Sequence, residues 1–151
     1  MWGVAVHNAA MRGSAIHRAR ERAGEPSHPQ ASNPRQAMGA YGEHLAARVL
    51  QDQGMHILDR NWRCRHGEID IVALDGDCLV VCEVKTRRGE AFGEAVEAVS
   101  FAKMMRLRRL AVAWLDEHRG TGADAIRIDV IGILRPPAGA ATVRHVRGSL
   151  T

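Results

Sequence analysis

A chain of 151 residues, 46% hydrophobic and 25% charged, has the ordinary composition of one globular domain with a sizeable core, which excludes a fibrous or wholly disordered chain. Its net charge of +4 is unevenly placed: residues 1–37 carry five Arg against two Glu, whereas residues 38–151 carry 16 basic and 15 acidic side chains. Global charge therefore does not identify a nucleic-acid binder, and a local patch must carry any such argument. No apolar run approaches the ~20 residues of a membrane span, and the N-terminus lacks the order of a signal peptide, so no membrane partner is expected. Cys64, Cys78 and Cys82 form no CxxC pair; their odd number suits a reducing cytoplasm.

Residues 1–37 hold three of the five prolines and no sustained hydrophobic period. They are expected to be a disordered extension or a stretch upstream of the true start, since Met38 stands directly before the first helical pattern. A helix is predicted from Gly39 to about Gln53, with Tyr41, Leu45, Ala46, Val49 and Leu50 on its buried face and Gly54 as its stop. Strands follow at 55–62, 67–74 and 78–86, the last two joined by a tight turn at Asp75-Gly76-Asp77. The third is apolar on both faces before Glu83, as in a strand covered on both sides. A helical pattern from about Glu94 to Glu117 has a possible break at Ser100. A strand at 125–134 and a short edge strand at 141–147 complete the chain. The expected class is α/β, in the order α-β-β-β-α-β, with a mixed central sheet flanked by helices.

The chemistry concentrates at Asp70 and Glu83-Val84-Lys85. Residues two apart on a strand share a face, so Glu83 and Lys85 point the same way. Charges on so apolar a strand are costly unless paired or metal-bound. One hairpin away, Asp70 would bring a second carboxylate, and Glu43 on the first helix a third. Asp70 and Glu83, with the Val84 carbonyl and Glu43, form a candidate site for Mg²⁺ (or Mn²⁺), with Lys85 beside a phosphate. The blander alternatives are an ordinary Glu83–Lys85 ion pair and a helix-dipole role for Glu43. Arginine outnumbers lysine 19 to 2, so Lys85 and Lys103 stand out as specific choices. Lys103, Arg106 and Arg109 form a cationic stripe on the later helix, suited to backbone phosphates or to plain solvation. Arg63 and Arg65 could bind phosphate or pair with Glu68; Arg127 and Asp129 read as a structural ion pair.

Gly39-x-x-Gly42-Glu43, Asn61-Trp62-Arg63-x-Arg65-x-Gly67-Glu68-Ile69-Asp70, Glu83-Val84-Lys85-Thr86-Arg87 and Lys103 resemble the YraN-like proteins of the PD-(D/E)XK, or restriction-endonuclease-like, superfamily. The resemblance covers about residues 38–134; G-E-I-D with E-V-K-T-R at this separation is specific, where E-x-K alone is weak. It implies a core akin to Holliday-junction resolvases over residues 38–151, with Glu43, Asp70, Glu83 and Lys85 as the active-site set and Arg87 near the substrate. Departures are the 37-residue extension and Cys82, where the family often has an aromatic residue.

Other matches fail on context. Gly120-x-Gly122-x-x-Ala125 follows a helix and enters a strand, the reverse of a dinucleotide fingerprint. Ser100-x-x-Lys103 lacks the companions of an acyl-serine motif. Cys64-x-His66 alone makes a weak zinc site. The expectation is a cytoplasmic nucleic-acid-binding protein with a Mg²⁺-dependent endonuclease-like site hydrolysing DNA, and a homodimer if it follows the resolvases. The alternatives are a non-catalytic module that keeps the fold to bind nucleic acid or a partner, and a metal protein acting on a small ligand.

Overall fold

Among the described residues of the computed structural model, 33–89 and 99–148, seven elements follow one another. They are α1 (Pro34–Asp52), β1 (His56–Cys64), β2 (Gly67–Asp75), β3 (Cys78–Arg88), α2 (Phe101–Glu117), β4 (Ala125–Arg135) and β5 (Thr142–Val146). The strands form one open sheet in the order β1-β2-β3-β4-β5. β3 and β4 run parallel and the other neighbours antiparallel, so the sheet is mixed, as the sequence predicts. The β2–β3 hairpin turns on Gly76 and Asp77, with Gly76 at φ 62. A positive φ at the first central residue alone is the pattern of a type II′ turn, which matches strand twist and favours glycine there.

α1 begins five residues before the expected Gly39. The Asn33 side chain accepts the Arg35 N–H and Pro34 occupies the first helical turn. Asparagine at the cap followed by proline is a strong start signal, which the proline-rich context upstream disguised. Met38 therefore lies within the helix. α1 buries Gly42, Ala46, Ala47 and Leu50. Tyr41, expected on that face, is 40% exposed and lies under the Arg135 guanidinium, 4.8 Å from its ring centroid. Small residues line the contact because the helix lies close to β3: a Cβ on Gly42 would collide with Thr86 Oγ1.

α2 starts at Phe101, where Ser100 Oγ accepts the Lys103 N–H at 3.2 Å; the expected helical stretch at 94–98 lies outside the described residues. The sheet separates two cores. Ala46, Ala47 and Leu50 of α1 pack on Ile71, Ala73, Val80, Cys82, Ile131 and Ile133. Leu107, Leu110, Ala111 and Trp114 of α2 pack on Ile69, Val72, Leu79, Val81 and Ile128. A register shift between Ile57 and Asp59 interrupts β1, and Trp114 Nε1–H donates to Asp59 Oδ2 at 3.1 Å. Burial pushes the Cys82 thiol well above its ordinary range, so this residue is packing, not a nucleophile. Among the described residues no helix is long and apolar enough to cross a membrane.

Candidate active site

The site lies where β2 and β3 part. Their pairing runs from Asp75↔Cys78 to Ile71↔Cys82, while β3 continues against β4 to Arg88↔Arg135. At the fork the Asp70 carboxylate replaces a backbone partner: Val84 N–H donates to Asp70 Oδ2 at 2.8 Å. Ile69 and Ile71 pack in the opposite cores. Two residues apart on a regular strand they would share a face, so the alternation slips at Asp70, which turns its carboxyl toward β3.

A cleft of about 770 Å³ opens at this fork, lined by Glu43 of α1, Asp70 of β2, and Glu83, Val84, Lys85 and Thr86 of β3, with Arg35, Arg87 and Arg88 among the remaining wall residues. Glu83 is 5% exposed. Its Oε1 meets two ammonium groups, Lys85 Nζ at 2.8 Å and Lys103 Nζ at 3.3 Å. Burial, and then the nearby charges of Glu83, Glu43 and Glu68, push the Asp70 carboxyl up from 3.8 to about 6, against the opposing hydrogen bond from Val84. An acid displaced that far inside a cleft lined by other acids makes this cleft the candidate functional site.

The residues singled out in the sequence separate into groups. Glu43, Asp70, Glu83, Val84, Lys85 and Arg87 all line the cleft. Lys103, expected on the outward stripe of its helix, instead reaches Glu83. Arg106 and Arg109 line a second cleft of about 520 Å³, together with His66, Leu110 and Asp116. Arg63 pairs with Glu68 at 2.9 Å, the structural alternative foreseen for it, and Arg65 contacts His66. Neither is among the residues lining the first cleft. Arg127 and Asp129 form the expected ion pair, at 2.9 Å. The sequence reading missed Arg35, hidden in the presumed tail, and Arg88, which follows the recognisable motif.

Among the described residues no three His, Cys, Asp or Glu side chains are drawn together at metal-binding distance. Asp70 spends one oxygen on Val84 and Glu83 faces its lysines. The donor set nevertheless suits a hard cation, since Mg²⁺ uses one or two carboxylates and keeps several waters, and it would offset the neighbouring acidic charges that add to the effect of burial on Asp70.

Fold and site define a mixed α/β protein with an acidic cleft, two lysines on its buried glutamate, at the fork of an open sheet. Residues 42–133 match the uncharacterised protein family UPF0102, and the chain belongs to that family. It is 57% identical over 112 residues to a UPF0102 protein of Kineococcus radiotolerans, covering 74% of this chain and 92% of the relative. It is 59% identical over 117 residues to one of Streptomyces coelicolor, covering 77% and 90%.

Proposed function

We propose that the cleft is the site of a divalent-metal-dependent endonuclease that hydrolyses phosphodiester bonds in DNA, on a restriction-endonuclease-like core. One observation carries the reading: Glu43, Asp70, Glu83 and Lys85, from three separate elements, line a single cleft in which the Asp70 carboxyl is pushed up to about 6. Asp70 and Glu83, with the Val84 carbonyl and Glu43, would hold Mg²⁺ or Mn²⁺. Bound there, the cation would neutralise phosphoryl charge and acidify the attacking water. Lys85, on the same face as Glu83 and 2.8 Å from it, keeps an ammonium beside the point where negative charge develops. Lys103 anchors the same carboxylate from α2. Buried on the strand, Glu83 cannot swing away from its post.

The test is a panel of duplex, single-stranded and branched DNA and RNA incubated with Mg²⁺ or Mn²⁺. Cleavage is expected, lowered at least ~10²-fold in Asp70→Ala, Glu83→Ala and Lys85→Ala, the scale of losing a charge-stabilising group. A second reading has its own support. With two lysines on Glu83, that buried carboxylate is paired without a cation, as in a module that keeps the fold and only binds nucleic acid. Salt-sensitive binding with no cleavage on any substrate would favour it. A homodimer presenting two clefts to one branched substrate belongs to the first reading, and sedimentation would detect it. A reducing cytoplasm is part of this reading, supported by an odd number of cysteines with no CxxC pair.

A further inference from the structure

The mouth of the cleft carries the opposite charge from its floor. Arg35 stands in the first turn of α1, and Arg87 and Arg88 end β3. Arg88 is the register partner of Arg135, the last residue of β4. Partners in adjacent strands lie side by side, so two guanidinium stems leave the sheet together at its carboxyl end. A shallow depression lined by Met38, Arg88, Arg135, Pro136 and Pro137 continues from the first cleft, sharing Met38 and Arg88 with it. Arg35, Arg87, Arg88 and Arg135 are exposed, and none has a carboxylate partner among the described residues. Arg135 is held by the Tyr41 ring instead, which fixes the cation without neutralising it.

The floor cannot attract a phosphate by itself. Three carboxylates face two ammonium groups there, so an incoming phosphodiester meets net negative charge once all are ionised. A row of guanidinium groups at the rim, none paired with a carboxylate among the described residues, overcomes that, and guanidinium matches phosphate oxygens bidentately. The second cleft, with Arg106 and Arg109, shares no lining residue with the first and contains Asp116.

We infer that the DNA backbone leaves the cleft over Arg88 and Arg135, with Arg35 and Arg87 at its entrance, and does not run along the Arg106–Arg109 face of α2. The inference rests on the reading of the cleft as a DNA site, and it names the phosphates next to the scissile bond as the ligand of this rim.

The test measures binding of a fluorescent DNA duplex by anisotropy in EDTA, so that no cleavage intervenes, across a salt series. Arg88→Ala/Arg135→Ala is expected to weaken binding at least ~10-fold and to reduce the salt slope by about 2, near 0.9 per lost phosphate contact. Arg106→Ala/Arg109→Ala is expected to stay within ~3-fold of the wild type. The reverse ranking, or unchanged affinity and slope in Arg88→Ala/Arg135→Ala, overturns the track. A polyglutamate chain of equal charge competing as well as DNA overturns the choice of ligand. Cleavage by the wild type in Mg²⁺, lost in Glu83→Ala, is scored separately. A failed track with intact cleavage leaves the hydrolase reading standing, and an intact track without cleavage supports the binding module. A wild type that binds no DNA sinks both.

Discussion

Asp70 makes two uses of one carboxyl, and they conflict. It must accept the Val84 N–H to hold β3 at the fork, and it must sit among other acids to build the site. In the unfolded chain it titrates near 3.8; in the folded protein it titrates near 6. Between those values the native state holds a proton that the unfolded state has released. Its contribution to stability is therefore present below about pH 4 and is lost as pH rises through 6. At ~1.4 kcal/mol per unit the full cost is on the order of 2–3 kcal/mol. Asp70→Asn keeps an oxygen for Val84 and removes the charge. It is expected to be more stable than the wild type at pH 7.5, by roughly 1–2 kcal/mol, with the gap closing toward pH 4.5. Urea denaturation at the two pH values reads this directly, and a gap that widens on acidification would refute the assignment. Mg²⁺ should raise the melting temperature of the wild type at pH 7.5 and leave that of Asp70→Asn nearly unchanged, because only the wild type has the ionised carboxylate to neutralise.

Each helix carries one charged residue to the floor of the cleft and reaches the sheet by a local device. For α1 the device is Gly42, whose missing side chain lets the helix approach Thr86 and sets Glu43 over the cleft. Gly42→Ala should cost on the order of 2 kcal/mol by overpacking, despite alanine's better helix propensity. Thr86→Ala removes the offending hydroxyl, so the double mutant should recover at least ~1 kcal/mol of the sum of the two single changes. Additive single and double mutants would show that the contact is not the constraint. For α2 the device is the Ser100 cap, which orders the turn bearing Lys103. That turn has no acidic residue, and a cation there opposes the helix dipole; the Glu83 carboxylate compensates it. Ser100→Ala should cost about 1 kcal/mol in stability and lower cleavage as well, checked by calorimetry and by the assay above. Here lies what the sequence could and could not reveal. Strand alternation and the turn signals made all five strands readable, since each strand must bury one or both faces. Asp70, Glu83 and Lys85 were readable as a group because charges on such apolar strands need a reason, and Glu43 joined them from its place on the helix expected to pack on the sheet and from the family resemblance. Lys103 was assigned to the outer stripe because angular periodicity ignores side-chain direction. Helical side chains slant toward the N-terminus, and a long lysine three residues past the cap reaches beyond the end of its helix. Tyr41 was misplaced because periodicity cannot tell that small residues, not large ones, fill a close helix–sheet contact.

Across the whole molecule, the site and the structural polar network occupy consecutive stretches of the parallel β3–β4 pair: Asp129 is the register partner of Cys82, one position before Glu83. The cleft uses Glu83 to Arg88, at the carboxyl end. Upstream, Asp129 is fully buried and accepts from Arg127 at 2.9 Å, from the Gly148 N–H at 3.0 Å, and lies 2.8 Å from His145 Nε2. Arg127 also reaches Asp75 at the β2–β3 turn, and the His145 ring meets Gln53, just past α1, at 2.9 Å. One carboxylate thus ties β4 to β5, to the hairpin and to the end of α1. Removing it leaves Arg127 with Asp75 alone and strands the inward side of His145, so Asp129→Ala is expected to cost on the order of 3–5 kcal/mol. Against a typical stability of ~5–15 kcal/mol, that is enough to lower the melting temperature steeply while a folded population survives in the cold. Asp129→Asn, which keeps one acceptor oxygen for Arg127 Nε and the Gly148 N–H and loses the other with the charge, should cost less than Asp129→Ala. Because the network contributes no residue to the cleft, the variants are expected to keep near wild-type kcat/KM per folded molecule at low temperature, with the folded fraction measured in the same samples by circular dichroism. Activity that falls much further than the folded fraction would mean that the network and the cleft are mechanically coupled and that Asp129 positions the site as well as the fold.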